Sequence, residues 1–331
     1  MERINVREFV NMEVERISEK LDDLFNVVDK GTLPRKIVFI RVGEDPASIS
    51  YMKSKSKQLT DVGFEVVDLV FEDNDNSNEN YNMLANVIKD LNNDSSVLGM
   101  LIQSPVPHIS KSSYQDLVNL IDPKKDLDAF GKESQAAQLA TPFMKDKISI
   151  SNWPCTPLGI LYYLFRNNYD LAGKKVAIIG RSDIVGKPLA TAMINSGAIV
   201  TIYNSNMPMS DINKELRTRG FNVVIGAIGK PGHIILSRDP ENPSAIDELD
   251  YVFDVGINRV KCEESKTGSI LIGDIGYKVH PTDEYGQGLS AAKFKFTPVP
   301  GGVGLLTRLG LILRAIRLIS YNVYIGDLFE D

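Results

Sequence analysis

The sequence predicts an α/β protein of two α/β domains, the second a Rossmann-like dinucleotide-binding domain, with a C-terminal helix returning to the first. Three observations predict it. Short β-rich apolar runs alternate with helical segments, as βαβ units around a parallel sheet require. The alternation pauses over Gln138 to Gly159, a stretch rich in turn-formers that reads as a linker. It restarts with "KKVAIIGRSDIVGKPLATAMINSG", which reads as strand, glycine turn and helix. At 331 residues the chain is comfortable for two domains. The expected division is 1–155 plus a returning helix in 300–331, and 156–299.

Val6, Val10, Val14, Ile17, Leu21 and Phe25 recur every three or four residues, so the N-terminal segment is an amphipathic helix. It is glutamate-rich and lacks the features of a signal or transit peptide, so it reads as part of the fold of a cytoplasmic protein. "KIVFIRVG" is the first buried strand. The helix carrying "SYMKSKSKQL" follows and stops near Gly63. "FEVVDLVF" and "VLGMLIQ" are the next strands, separated by the helix "YNMLANVIKDLNN". After the glycine turn, "AIVTIYNS", "FNVVIGAIG" and "DYVFDVGIN" are further strand ends, and "LLTRLGLILRAIRLI" is apolar at helical spacing.

Composition excludes several classes. A net charge of −6 argues against a general nucleic-acid binder. The two cysteines, Cys155 and Cys262, are far apart and give neither a disulfide framework nor a zinc site. No apolar run approaches the roughly 20 residues that span a bilayer. The three histidines receive no role, and no metal is expected.

Within the glycine turn, Gly180 permits a sharp turn and Gly186 a close approach, although Ser182 breaks the G-x-G-x-x-G pattern. The amides at the helix start suit an anion. The following strand ends at Tyr203, Asn204 and Ser205 with no carboxylate for a ribose hydroxyl, whereas Arg181 could hold a 2′-phosphate. This leans towards NADP and leaves NAD possible. Gln103 stands where a buried strand should emerge, and "TPVPGGVG" offers backbone groups on a rigid loop. Which of Lys53, Lys55 and Lys57 does chemistry is undecided by the stretch itself.

"VGEDPASISYMKSKSK", "LIQSPVP", "PKKDLDAF", "PCTPLG", "GRSDIVGKPLA", "FDVGIN", "GDI" and "TPVPGGVG", in this order, closely resemble the bifunctional methylenetetrahydrofolate dehydrogenase/cyclohydrolase family over residues 36 to 310. The resemblance implies a folate site in the first domain, NADP in the second, a cleft between them and a homodimer through the nucleotide-binding domain. Its substrates would be one-carbon derivatives of tetrahydrofolate, with no nucleic acid or membrane partner. The family's Tyr-x-x-x-Lys maps to Tyr51 and Lys55, making Lys53 and Lys57 bystanders. Lys55 would transfer protons with a pKa lowered by partial burial. Gln103 would hydrogen-bond it, and Asp128 would accept from the pterin. Ser48, Tyr51 and the loop residues Pro300, Gly301 and Gly302 would contact folate. Gly180, Arg181, Ser182, Ile184, Gly186, Ser205, Gly229, Gly256 and Ile257 would hold the cofactor. The chain departs from the family at Ala129, where glycine is usual, at Leu305 for proline, and at Asn204 for histidine. A monofunctional dehydrogenase and a catalytically silent binding protein are the alternatives.

Overall fold

A computed structural model of the chain describes residues 1–27, 33–140, 152–239, 241–242, 244–256, 269–271, 274–278, 292–323 and 325. In chain order the main elements are β1 (Glu2–Arg3), α1 (Val6–Val27), β2 (Lys36–Val42), α2 (Pro46–Asp61), β3 (Glu65–Phe71), α3 (Ser77–Asn93), β4 (Val97–Ile102), α4 (Lys111–Asn119) and α5 (Lys132–Ala140). They continue with α6 (Cys155–Arg166), β5 (Lys175–Ile179), α7 (Gly186–Asn195), β6 (Ile199–Tyr203), α8 (Met209–Thr218), β7 (Val223–Gly226), β8 (Ile234–Leu236) and β9 (Tyr251–Asp254). The last are β10 (Ser269–Leu271), β11 (Ile275–Lys278), β12 (Lys295–Phe296) and α9 (Val303–Ile319). The alternation read from the sequence is the alternation observed.

The chain clusters into two compact units. One comprises 12–158 and 308–331; the other comprises 1–11 and 159–307. All three changes of unit fall inside helices: α1, α6 and α9.

The first unit is built on a small parallel sheet of order β3-β2-β4. β2 and β4 are buried along nearly their whole length, which is why they read as unbroken apolar runs. Asp45 starts α2 by accepting the Ser48 amide at 2.7 Å, and Pro46 occupies the first turn, where no amide hydrogen is needed. Asn76 and Ser110 cap α3 and α4 in the same way. From Leu309 through Ile319 every residue of α9 except Arg317 is buried, and Arg314 lies in the middle of that stretch. The helix lies so close to β4 that a Cβ on Gly99 would overlap the Leu318 side chain. A Cβ on Gly310 would likewise overlap the Cys155 carbonyl, so α9 and the start of α6 touch backbone to backbone.

The second unit carries a six-stranded, all-parallel sheet of order β1-β12-β9-β7-β5-β6. β5 comes first along the chain within this unit's main βαβ run and has β6 on one side and β7 on the other. The sheet therefore has its topological switch at β5, where doubly wound folds bind ligands beyond the strand ends. A smaller sheet, β10-β11-β8, accompanies it. Among the described residues no helix is long and apolar enough to cross a membrane.

The stretch read as a linker is helical at both ends: α5 runs to Ala140 and α6 begins at Cys155. Residues 141–151 between them lie outside the described residues. The composition of the segment misled because α6 starts with Pro154 and Cys155-Thr-Pro, residues suited to a helix's first turn as well as to a loop.

Candidate active site

The first unit gathers its chemistry along one face of α2. Ser48, Met52, Lys55 and Leu59 form that helix's buried stripe, at intervals of four, three and four residues. Lys53 and Lys57 point to solvent, and Lys57 is tied to Asp61 at 2.7 Å. The periodicity thus separates the three lysines. Lys55 is 7% exposed. Its Nζ lies 3.9 Å from Asp128 Oδ1 and 4.8 Å from the centre of the Tyr51 ring. Tyr51 is 44% exposed. Cys155 completes the group, with its thiol donating to Asp128 Oδ1 at 3.7 Å.

Asp128 is placed by its neighbours. Asp126 pairs with Met100 of β4 as an isolated bridge, with Met100 N donating to Lys125 O at 2.9 Å and Leu127 N to Met100 O at 3.2 Å. The buried Asp126 carboxylate accepts from Gly131 N at 2.9 Å and Ser134 Oγ at 2.8 Å. Between these anchors Ala129 has φ +57°, a left-handed conformation that costs a residue with a Cβ about 1 kcal/mol. This is the position where the resembled family has glycine, and the backbone supplies the reason.

Burial alone pushes the Lys55 ammonium down, but the Asp128 carboxylate, with Tyr51 beside it, outweighs burial and holds Lys55 above its ordinary value. The expectation of a lowered pKa is therefore corrected: it counted burial and omitted the partner. Burial raises both Tyr51 and Cys155. Gln103 stands one residue past β4, its amide hydrogen on Ile40 O at 2.8 Å, as expected of a strand end. Its side chain donates to Ser104 O at 2.7 Å, and no hydrogen bond joins it to Lys55. The loop beyond Gln103 is held by His108, whose Nε2 lies 3.1 Å from Asp73 Oδ2. Pro300, Gly301 and Gly302 belong to the other unit, where Gly301 has φ +92° and a Cβ on Gly302 would overlap the Pro298 carbonyl.

In the second unit a pocket of about 470 Å³ opens at the end of β5, lined by Gly180, Arg181, Ser182, Asn204, Ser205 and Lys230 among others. Gly180 has φ +122°, and a Cβ on Gly186 would run into the Gly180 carbonyl, so the turn needs both glycines. Ser182 Oγ accepts from the amides of Val185 and Gly186 at 3.2 and 3.4 Å, which sets the start of α7. Ile184 is 48% exposed in the same turn. No Asp or Glu lines the pocket, and neither Arg181 nor Lys230 has an acidic partner among the described residues. The cavity therefore favours an anion. Gly229 follows β7 with φ +66°, and its amide donates to Asp274 Oδ2 at 2.7 Å. Gly256 N donates to Asp254 Oδ1 at 2.9 Å. Ile257 lies outside the described residues.

Sequence reasoning missed Lys230 and His233, both on the pocket wall. The signal was available: "GAIGKPG" is a strand end followed by a glycine turn, the same context that singled out Arg181.

Two family models match. One, described as tetrahydrofolate dehydrogenase/cyclohydrolase, catalytic domain, covers residues 5–128; the other, described as the NAD(P)-binding domain, covers 154–323. The bifunctional protein FolD of Chlorobium chlorochromatii is 37% identical over 294 residues, 87% of this chain and 88% of its own. That of Chlorobium limicola is 39% identical over 282 residues, 84% of each chain. The crystal structure of the bifunctional FolD enzyme, methylenetetrahydrofolate dehydrogenase/cyclohydrolase, from Campylobacter jejuni is similar with a TM-score of 0.74 at 29% identity, covering 97% of this chain and 99% of that one.

The buried Asp254 yields a pH prediction. Burial pushes its carboxyl up to about 6, against the pull of the amides of Gly256, Ile275 and Asp274. A raised folded-state value means that its contribution is fully present below 3.8 and is lost as pH rises through about 6. The displacement corresponds to about 3 kcal/mol. The stability of the wild type relative to Asp254→Asn should fall between pH 4 and pH 7 in urea unfolding, and a difference independent of pH would refute it.

Proposed function

Because the chain belongs to the tetrahydrofolate dehydrogenase/cyclohydrolase family, we propose that it oxidises 5,10-methylenetetrahydrofolate to the methenyl cation with NADP and hydrolyses that cation to 10-formyltetrahydrofolate. The observation that carries the reading is the buried Lys55 paired with Asp128 beside the Tyr51 ring.

The second unit's pocket fits NADP. Its wall carries no carboxylate among the described residues, and Arg181 with Lys230 suits the 2′-phosphate. When bound, NADP supplies the hydride acceptor of the first step. In the first unit, Asp128 would accept the adjacent donors of the pterin in bidentate fashion, and Tyr51 would orient the ring with Ser48 nearby. Engaging Asp128 weakens its hold on Lys55. Burial then dominates, and the positive charge of the methenyl substrate adds to it, so Lys55 turns neutral as substrate binds. Neutral Lys55 takes a proton from the water adding to the methenyl carbon. The bond from that carbon to N5 then breaks, N5 receives a proton, and one proton is released overall. Gln103 would orient the Lys55 amine once its amide leaves Ser104. Pro300, Gly301 and Gly302 would contact folate as well.

We read the enzyme as a cytoplasmic homodimer. Among the described residues β6 is an edge of the large sheet, and Ile199 and Ile202 on it, with Ile194 on α7, are 61%, 39% and 56% exposed. Edge strands this apolar are ordinarily covered. Light scattering should give twice the mass of 36.7 kDa for the wild type and a lower mass for Ile199→Lys; a wild-type monomer would end this reading.

With methylenetetrahydrofolate and NADP, the wild type should form methenyl- and then 10-formyltetrahydrofolate. Lys55→Met should lose ring opening by roughly 10²-fold or more. If methenyl forms but hydrolyses at the uncatalysed rate in the wild type, the enzyme is a monofunctional dehydrogenase; binding of both ligands without turnover would favour the silent alternative. In parallel assays, Arg181→Ala and Lys230→Ala should each raise KM for NADP about tenfold and leave NAD unchanged. Equal losses with both cofactors would remove the 2′-phosphate assignment.

A further inference from the structure

Arg314 lies at the centre of α9 and is wholly buried, in a helix otherwise apolar there. A buried charge costs several kcal/mol unless well-formed hydrogen bonds offset it, so an apolar core does not place arginine at such a position for packing. Its guanidinium has specific partners. NH2 donates to Asp126 O at 2.6 Å, Nε to Leu127 O at 3.1 Å and NH1 to Asn152 Oδ1 at 2.7 Å. The first two acceptors are consecutive carbonyls immediately before Asp128. Successive carbonyls of an extended strand point to opposite edges, so one planar fork reaches both only where the chain bends. On the other side of Asp128, the Asp126 carboxylate fixes the amides of Phe130 and Gly131. Asp128 is thus bracketed, its incoming chain held by Arg314 and its outgoing chain by Asp126.

We propose that Arg314 is a positioning residue for pterin recognition: its fork sets the bend that aims the Asp128 carboxylate at Lys55 and at the substrate. This rests on the reading of Asp128 as the pterin acceptor. Lysine at this position would keep the charge and lose the fork, since an ammonium is a point donor.

The test is steady-state kinetics of Arg314→Lys at saturating NADP, with Asp128→Asn in parallel. Arg314→Lys should raise KM for methylenetetrahydrofolate about tenfold, leave KM for NADP unchanged, and move the pH profile of ring opening to lower pH, because a displaced Asp128 supports the Lys55 ammonium less. Asn152→Ala, which removes the bond to NH1 and keeps the buried charge, should move folate KM in the same direction by a smaller factor, and it serves if the lysine variant does not fold. Leu318→Ala is the control for lost stability: it should lower Tm without changing either KM. If Arg314→Lys and Asn152→Ala lower only Tm or the active fraction, with folate KM and pH profile unmoved while Asp128→Asn raises KM, the role of Arg314 is overturned alone. If Asp128→Asn leaves folate KM unchanged, the pterin assignment fails and this inference falls with it.

Discussion

Two cations and two carboxylates of one unit, Lys55 and Arg314 with Asp126 and the half-buried Asp128, set the terms for everything around them. Each charge is acceptable only because another offsets it. Lys55 occupies an apolar stripe because Asp128 is 3.9 Å away. Burial pushes the Asp126 carboxyl up, and Arg314 with the Gly131 amide pulls against it. The group is neutral as a whole, so its protons can be rearranged at modest electrostatic cost, but removing any one member leaves an uncompensated charge in a low dielectric. The loop from Lys125 to Gly131 and the buried helix α9 are shaped to bring these four side chains together.

The second unit works by the opposite means. Its pocket stands on a turn that closes only because Gly180 and Gly186 lack side chains, and no carboxylate among the described residues lines it. The cations there are exposed and have no acidic partner among the described residues, so they attract an anion without having to give one up. In the proposed function, one unit therefore offers a preset charge balance to a substrate that develops positive charge. The other offers excess positive potential to a cofactor that is an anion.

Much of this was legible in the sequence. The strands were readable because parallel, doubly covered strands are continuous apolar runs, and the glycine turn because its geometry demands particular residues. The choice among Lys53, Lys55 and Lys57 was half legible: the buried stripe of α2 contains Ser48 and Lys55, polar residues that blur a hydrophobic period. What was not legible was long-range. Asp128 lies 73 positions after Lys55, and no local pattern predicts that its carboxylate overturns the effect of burial on the lysine. Arg314 was hidden for the same reason, as one basic residue among several in an apolar tail. Ala129 was noticed as a departure, but only the backbone explains why the position has a preferred residue.

The division of the chain into units falls within α1, α6 and α9, not in loops. A cut at any of these points would sever a helix in mid-course and leave its turns without hydrogen-bonding partners. Such a protein is not modular at the level of sequence. No stretch of residues can be lifted out as a cofactor-binding cassette or exchanged for a relative's, and recombination that respects the helices must replace both units together.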